Sequence, residues 1–223
     1  MPRRPRLATG GLAYHVLNRR VGRLSLFNKP ADYAGFEKIL AGAHDRTGIR
    51  IAAYCLMPTH WHLILWPRQD GELSEVLRWI TVTHTQRWHV HRRSSGTGPV
   101  YQGRFKSFPV QTDEHFFTVA RYVERNALRA SLVARAEDWK WSSLWRRGQG
   151  DATLCSWLSD WPVEQPRNWV RRVNQPETAG ELEALRVSVN RGRPFGSETW
   201  VTRMAKRFDL ESTMRSPGRP KGS

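Results

Sequence analysis

The sequence predicts an α+β fold: a ferredoxin-like split βαβ arrangement with an antiparallel sheet and one added helix, followed by a mostly helical and loop C-terminal extension. Three observations predict it. Hydrophobic periodicity switches between strand-like and helix-like in the order β-α-β-β-α-β-α from residue 12 to about residue 130. Turn-forming residues separate the patterned runs. Beyond residue 133 the pattern weakens, which divides the chain into a domain at 1–133, a basic, Trp-rich extension at 134–216 and a disordered tail at 217–223.

Residues 12–18 alternate, with Tyr14 and Val16 on one face and His15 and Leu17 on the other, as a strand requires. From Ala31 to about Thr47, Tyr33, Phe36, Ile39, Leu40 and Ala43 recur at helical spacing, with Pro30 suited to the start and Gly48 to the end. Residues 49–57 and 60–66 read as strands joined at Pro58-Thr59, and Pro67 ends the second. A long helix follows at about 72–92, its stripe formed by Leu73, Val76, Leu77, Ile80 and Trp88, then a Gly/Ser/Pro loop at 94–99. Residues 100–111 read as a strand carrying Arg104 and Lys106 on one face. Thr112 or Asp113 caps a helix running to about Ala130, with Phe116, Val119, Ala120, Val123 and Ala127 as its apolar stripe. The right-handed crossover rule places the first two helices on one face of a mostly antiparallel sheet. In the extension, 138–147 is aromatic and basic, 148–180 is loop-rich, and 177–189 and 197–209 have helical patterns.

Composition narrows the function classes. Lys and Arg number 36 against 20 acidic residues, a net charge of +16, and this implies a nucleic-acid partner. Arginine dominates, and its planar fork suits phosphate oxygens. No apolar run approaches a membrane span, and no secretory segment follows the basic N-terminus, so a cytoplasmic, nucleoid-associated protein is expected. Cys55 and Cys155 are too few for a disulfide framework.

The chemistry concentrates in His60-Trp61-His62, with Tyr122 and Asn126 some sixty residues later. On a strand, His60 and His62 project to one face while Trp61 packs on the other. On a helix, Tyr122 and Asn126 share a face. Two imidazoles and a carboxamide oxygen can hold a divalent ion, Mg²⁺ or Mn²⁺, beside a tyrosine oxygen nucleophile. Such an ion polarises a phosphate for in-line attack, and the attack by Tyr122 forms a 5′-phosphotyrosine. Arg121 and Arg125 flank the tyrosine in sequence, Arg19 and Arg20 follow the first strand, and Arg104 and Lys106 can track a phosphate backbone. His15, His44, His84, His89, His91 and His115 show no comparable partner spacing, and His89 and His91 diverge on a helix. Singly, a strand histidine pair is more often structural or accidental than a metal site, and a helix tyrosine is usually core.

Three segments carry a family resemblance: Tyr54-Cys-Leu-Met-Pro-Thr-His-Trp-His62, Gln102-Gly-Arg-Phe-Lys-Ser107 and Tyr122-Val-Glu-Arg-Asn-Ala-Leu-Arg-Ala130. Together, in this order, they resemble the single-tyrosine transposases of the insertion-sequence 200 type, within the His-hydrophobic-His superfamily of single-strand nucleases, and among these the REP-associated tyrosine transposases. The likeness covers about residues 8–147 and continues more weakly through Asn190-Arg-Gly-Arg-Pro-Phe-Gly196. It implies His60, His62 and Asn126 as metal ligands, Tyr122 as the nucleophile, and hairpin single-stranded DNA as the substrate of a transposition reaction. Typical members carry Gln where this chain has Asn126, whereas the REP-associated branch carries Asn. That branch commonly has Asn-Pro where this chain has Asn126-Ala127, so the helix is expected to continue more easily here.

Arg191-Gly-Arg-Pro194 also resembles an AT-hook core, with Gly218-Arg-Pro220 a partial repeat; Arg191 and Arg193 are candidate DNA contacts, and a plain surface loop is the other reading. Two other functions share these features: a hairpin-DNA-binding regulator without catalysis, and an RNA-binding domain of the same element order. The chain is expected to act as a monomer or homodimer; the sequence leaves open whether the tyrosine helix packs on its own sheet or on a partner's.

Overall fold

Largely apolar strands, two of them joined by the short turn at 58–59, build the sheet that places the histidine pair. The structure, a computed structural model, describes residues 7–149 and 155–215. Strands β1 (Ala13–Arg19), β2 (Arg50–Met57), β3 (His60–Trp66) and β4 (Lys106–Val110) form one sheet in the order β2-β3-β1-β4, every neighbour pair antiparallel. Helices α1 (Pro30–Thr47) and α2 (Glu72–Arg92) cover one face. Helices α3 (Glu114–Glu124) and α4 (Asn126–Arg129) lie on the other. This is the expected split βαβ topology with an added helix. The expected disordered tail and Gly218-Arg-Pro220 lie outside the described residues.

Local chemistry sets the boundaries. The Asp32 carboxylate accepts from the backbone of Asn28 and Lys29 at the start of α1, and Gly48 ends that helix with a left-handed φ of 68°. Asp113 is the N-cap of α3, accepting from the His115 backbone N–H. The Pro58-Thr59 turn is held by the Pro58 carbonyl, which accepts from both Leu26 and Phe27.

Trp61 anchors the strand that carries the histidines. Its side chain points away from them into the core with Phe36, fully buried, and its indole N–H donates to the Tyr101 hydroxyl at 3.1 Å. The same hydroxyl lies 2.6 Å from His84 Nδ1. Trp61→Ala is expected to cost about 3–5 kcal/mol through lost burial and the cavity left behind. That corresponds to a fall of roughly 10 °C in melting temperature, measurable by circular dichroism. An unchanged melting curve would show that this anchor is dispensable.

The last strand is shorter than its pattern predicts. Residues 100–105 leave the ladder, and only an isolated bridge joins Tyr101 to Arg20. Backbone hydrogen bonds from Val21 to Val100 and from Gln102 to Arg19 still flank Tyr101, whose side chain turns inward to Trp61 and His84, and the ladder lapses over 103–105. Arg104 therefore stands in a bend before β4, while Lys106 begins the strand.

Described residues after 133 pack against the sheet and along its two edges. Ser142 caps α5 (Ser143–Gly148), and the Ser143 hydroxyl accepts from the Tyr54 amide and donates to its carbonyl. Both edges of the sheet are occupied. Along β2, Ser142 bridges Cys55 and Leu158 bridges Ile51. Along β4, Phe195 bridges Val110. The helical patterns near the C-terminus form Ala179–Arg191 and Glu198–Arg207, and the described part of the loop-rich stretch includes the short helix Trp169–Asn174.

Candidate active site

Register brings the histidines together under α3. His62 lies opposite Leu17 and Cys55, and His60 opposite Arg19 and Met57. Alternation puts both imidazoles on the α3 side, with ring centroids 5.0 Å apart. The Tyr122 ring stands edge-on to His62 at 5.7 Å, from the same chain. The tyrosine helix thus packs on its own sheet, and the histidines and tyrosine meet within one chain.

The predicted continuous helix breaks between Tyr122 and Asn126. Glu124 ends α3, Arg125 is an intervening turn residue, and Asn126 begins α4. The Ala127 substitution for proline does not restore continuity. One reason is visible: the Arg129 guanidinium approaches the Tyr122 carbonyl at 3.5 Å, an acceptor that an unbroken helix would reserve for the Asn126 N–H. Arg125 and Arg129 still donate to the carbonyls four residues earlier, so the bend is slight.

The donor set fits a divalent ion. Burial pushes His60 down to about 4 and His62 well below the usual imidazole value, with nearby positive groups adding to it, so both rings are neutral at physiological pH. Each has its Nδ1 engaged, His60 with the Thr59 hydroxyl at 3.0 Å and His62 with His15 Nε2 at 2.9 Å. This leaves Nε2 as the nitrogen for a ligand in both. Asn126 is buried, and its carboxamide Nδ2 has no hydrogen-bond partner, so the amide is not consumed by the fold. Among the described residues, one cluster of His, Asp and Glu side chains is close enough to hold an ion: Asp113, Glu114 and His115. It lies at the opposite end of α3 from Tyr122, and its Asp113 oxygen already serves the helix cap and His115 Nδ1.

Two groups escaped the sequence pattern. His15, fully buried, stacks on His62 at 5.0 Å and meets the Tyr122 ring edge-on at 5.9 Å. Its signal was present: the antiparallel pairing of the first and third strands puts residue 15 diagonal to residue 62. Arg129 lies over the face of the Tyr122 ring at 4.1 Å. It is held by Glu177 of the extension at 3.0 Å, which also pairs with Arg125 at 3.5 Å. Helical spacing aligns Arg129 with Tyr122 and Asn126, but nothing local points to Glu177.

The candidate phosphate contacts separate into three groups. Arg19, Arg104 and Lys106 line one cleft of about 340 Å³ with Asn18, Gln102 and Asn190. Arg104 lies outside the strand expected to carry it, in a bend that keeps it beside Lys106 in this cleft. Arg121 and Arg125 turn instead to the extension, where Glu181 and Glu177 bind them, because the acidic starts of later segments pack on the outer side of α3. Arg20 faces away, its guanidinium 3.8 Å over the Trp88 ring. Arg191 ends a helix capped by Gly192 and donates to the Arg215 carbonyl. Arg193 precedes Pro194 and Phe195, both buried at the edge of β4. The Arg-Gly-Arg-Pro segment is therefore a helix cap leading into an edge contact, not an extended hook.

One solved structure shares this architecture, and a family profile matches the sequence. The profile of the IS200-like transposases matches residues 8–126. The chain superposes on the solved structure of a REP-associated tyrosine transposase bound to a REP hairpin with a TM-score of 0.53 and 18% identity, covering 80% of this chain and 99% of that one. A putative transposase from Deinococcus radiodurans is also similar, at a TM-score of 0.39 and 14% identity, over 59% of this chain and 95% of that one. No curated protein matches the sequence. Among the described residues, no helix is long and apolar enough to cross a membrane. The family profile spans more than half of the chain and takes in both histidines, Tyr122 and Asn126, and the protein belongs to the IS200-like transposase family.

Proposed function

We propose that this transposase cuts and rejoins single-stranded hairpin DNA through Tyr122, with a divalent metal, Mg²⁺ or Mn²⁺, held by His60, His62 and Asn126. The observation that carries the reading is the placement of the Tyr122 ring edge-on to His62 at 5.7 Å, beside neutral imidazoles whose Nδ1 atoms are already engaged. The metal supplies Lewis-acid polarisation of the scissile phosphate. The Tyr122 oxygen attacks phosphorus, the bond to the 3′ oxygen breaks, and a 5′-phosphotyrosine and a free 3′ hydroxyl result. Reversal by another 3′ hydroxyl rejoins the strand without a nucleotide cofactor. Arg19, Arg104 and Lys106 bind the backbone along their shared cleft, which meets the centre where Arg19 pairs across from His60. Arg191 contributes from the neighbouring cleft that Arg104 and Lys106 also line, and Arg193 follows it two residues on. Arg121 and Arg125 serve the junction with the extension.

Within this reading the chain belongs to the REP-associated branch, and its target is a palindromic hairpin. Residues 1–133 supply the chemistry, and the extension supports the tyrosine helix. An RNA-recognition reading requires exposed aromatics on the central strands. Both faces of β1 and β3 are covered here, apart from their outer ends.

The test is a denaturing gel of end-labelled hairpin DNA with Mg²⁺ or Mn²⁺. A cut strand and a protein–DNA adduct that both vanish on chelation are the expected result. Tight binding with neither product, across a varied hairpin library, would leave a DNA-binding regulator.

A further inference from the structure

The histidine pair is accompanied by a third imidazole that the proposed chemistry does not use. His15 lies on β1, sealed from solvent, with Nε2 2.9 Å from His62 Nδ1 and the two rings nearly parallel, 16° apart. Phe108 and Tyr122 pack on its other sides, at 4.9 and 5.9 Å. Its remaining nitrogen, Nδ1, is buried without a hydrogen-bond partner. A packing role alone leaves this orphan unexplained, since an apolar side chain would fill the same space without it.

One hydrogen fits between the two facing nitrogens. If His15 Nε2 carries it, neutral His62 must hold its own hydrogen on Nε2 and has no lone pair there for a metal. If His62 Nδ1 carries it, His62 Nε2 is free, and His15 accepts through Nε2 while protonated on Nδ1. The second arrangement makes the orphaned atom a donor, a penalty the fold bears here. It also leaves His62 in the same tautomer as that available to His60 through the Thr59 hydroxyl.

We propose that His15 is a positioning residue: it accepts the Nδ1 hydrogen of His62 and thereby presents His62 Nε2 to the divalent metal. This rests on the metal-binding role of His62 proposed above. Such outer partners fix ring orientation and tautomer, and their loss typically lowers metal affinity about 10–100-fold.

Calorimetric titration of the full-length protein with Mn²⁺ tests it without relying on turnover. His15→Leu is expected to weaken Mn²⁺ binding by about 10–100-fold, with His15→Gln, whose carboxamide oxygen can accept, recovering most of the loss. His62→Ala is the control for the site itself. Wild-type affinity in His62→Ala would overturn the metal reading and this proposal with it. Lost affinity in His62→Ala with wild-type affinity in a folded His15→Leu would overturn the role of His15 alone. Should His15→Leu fail to fold, imidazole ¹H–¹⁵N spectra of the Mg²⁺-saturated wild type decide. A hydrogen on His62 Nδ1 and His15 Nδ1 supports the assignment, and one on His62 Nε2 overturns it.

Discussion

Tyr122→Phe is expected to abolish strand cleavage and the covalent protein–DNA adduct while leaving hairpin affinity unchanged. The substitution removes one oxygen. The ring remains to meet His62 and His15 edge-on, and Arg129 keeps an aromatic face to lie over. The phosphate contacts sit on other elements, at Arg19, Arg104 and Lys106. A variant that folds and binds yet lacks a nucleophile separates chemistry from recognition. Loss of a covalent nucleophile typically lowers turnover on the order of 10⁴-fold or more. The measurement pairs single-turnover cleavage on a denaturing gel with equilibrium binding of the same labelled hairpin. Cleavage by the variant at the wild-type position would remove Tyr122 from the mechanism, whatever the metal does.

A mixture of His62→Ala and Tyr122→Phe proteins is expected to stay inactive. The tyrosine and the histidines face each other within one chain, so each variant carries a broken centre and neither can complete the other. In a dimer that exchanged its tyrosine helices, random pairing would regenerate about a quarter of the centres. The two outcomes differ by far more than assay error. Incubating the mixed variants, with a dilution series of the wild type alongside, supplies the measurement. Activity regained on mixing would mean that the helix exchanges between chains in solution; specific activity independent of dilution agrees with a centre built in one chain.

Much of this was legible in the residues because short-range rules govern it. Alternation around His60-Trp61-His62 placed the indole and the imidazoles on opposite faces, and the structure keeps them there. The periodic stripes located both helices of one face and the helix of the other. What escaped depended on separation in sequence. His15 joins His62 across 47 residues, and Arg129 joins Glu177 across 48. No local pattern marks either partner, since a histidine in an apolar strand and a glutamate in a loop are unremarkable alone. The length of the last strand was misjudged for a related reason. Tyr101 keeps its place opposite Arg20 while its hydroxyl meets Trp61, 40 residues away, and the ladder lapses over 103–105, where no residue of the apolar alternation marks the bend.

The occupied sheet edges have a consequence for how copies of the protein meet. A sheet with a bare edge offers a row of unpaired amides and carbonyls, and any second copy brings the matching row. Here Leu158 and Ser142 lie along one margin and Phe195 along the other, so two molecules have no strand to share at these positions. Copies brought close together would stay separate bodies rather than fuse into a continuous ribbon through these margins.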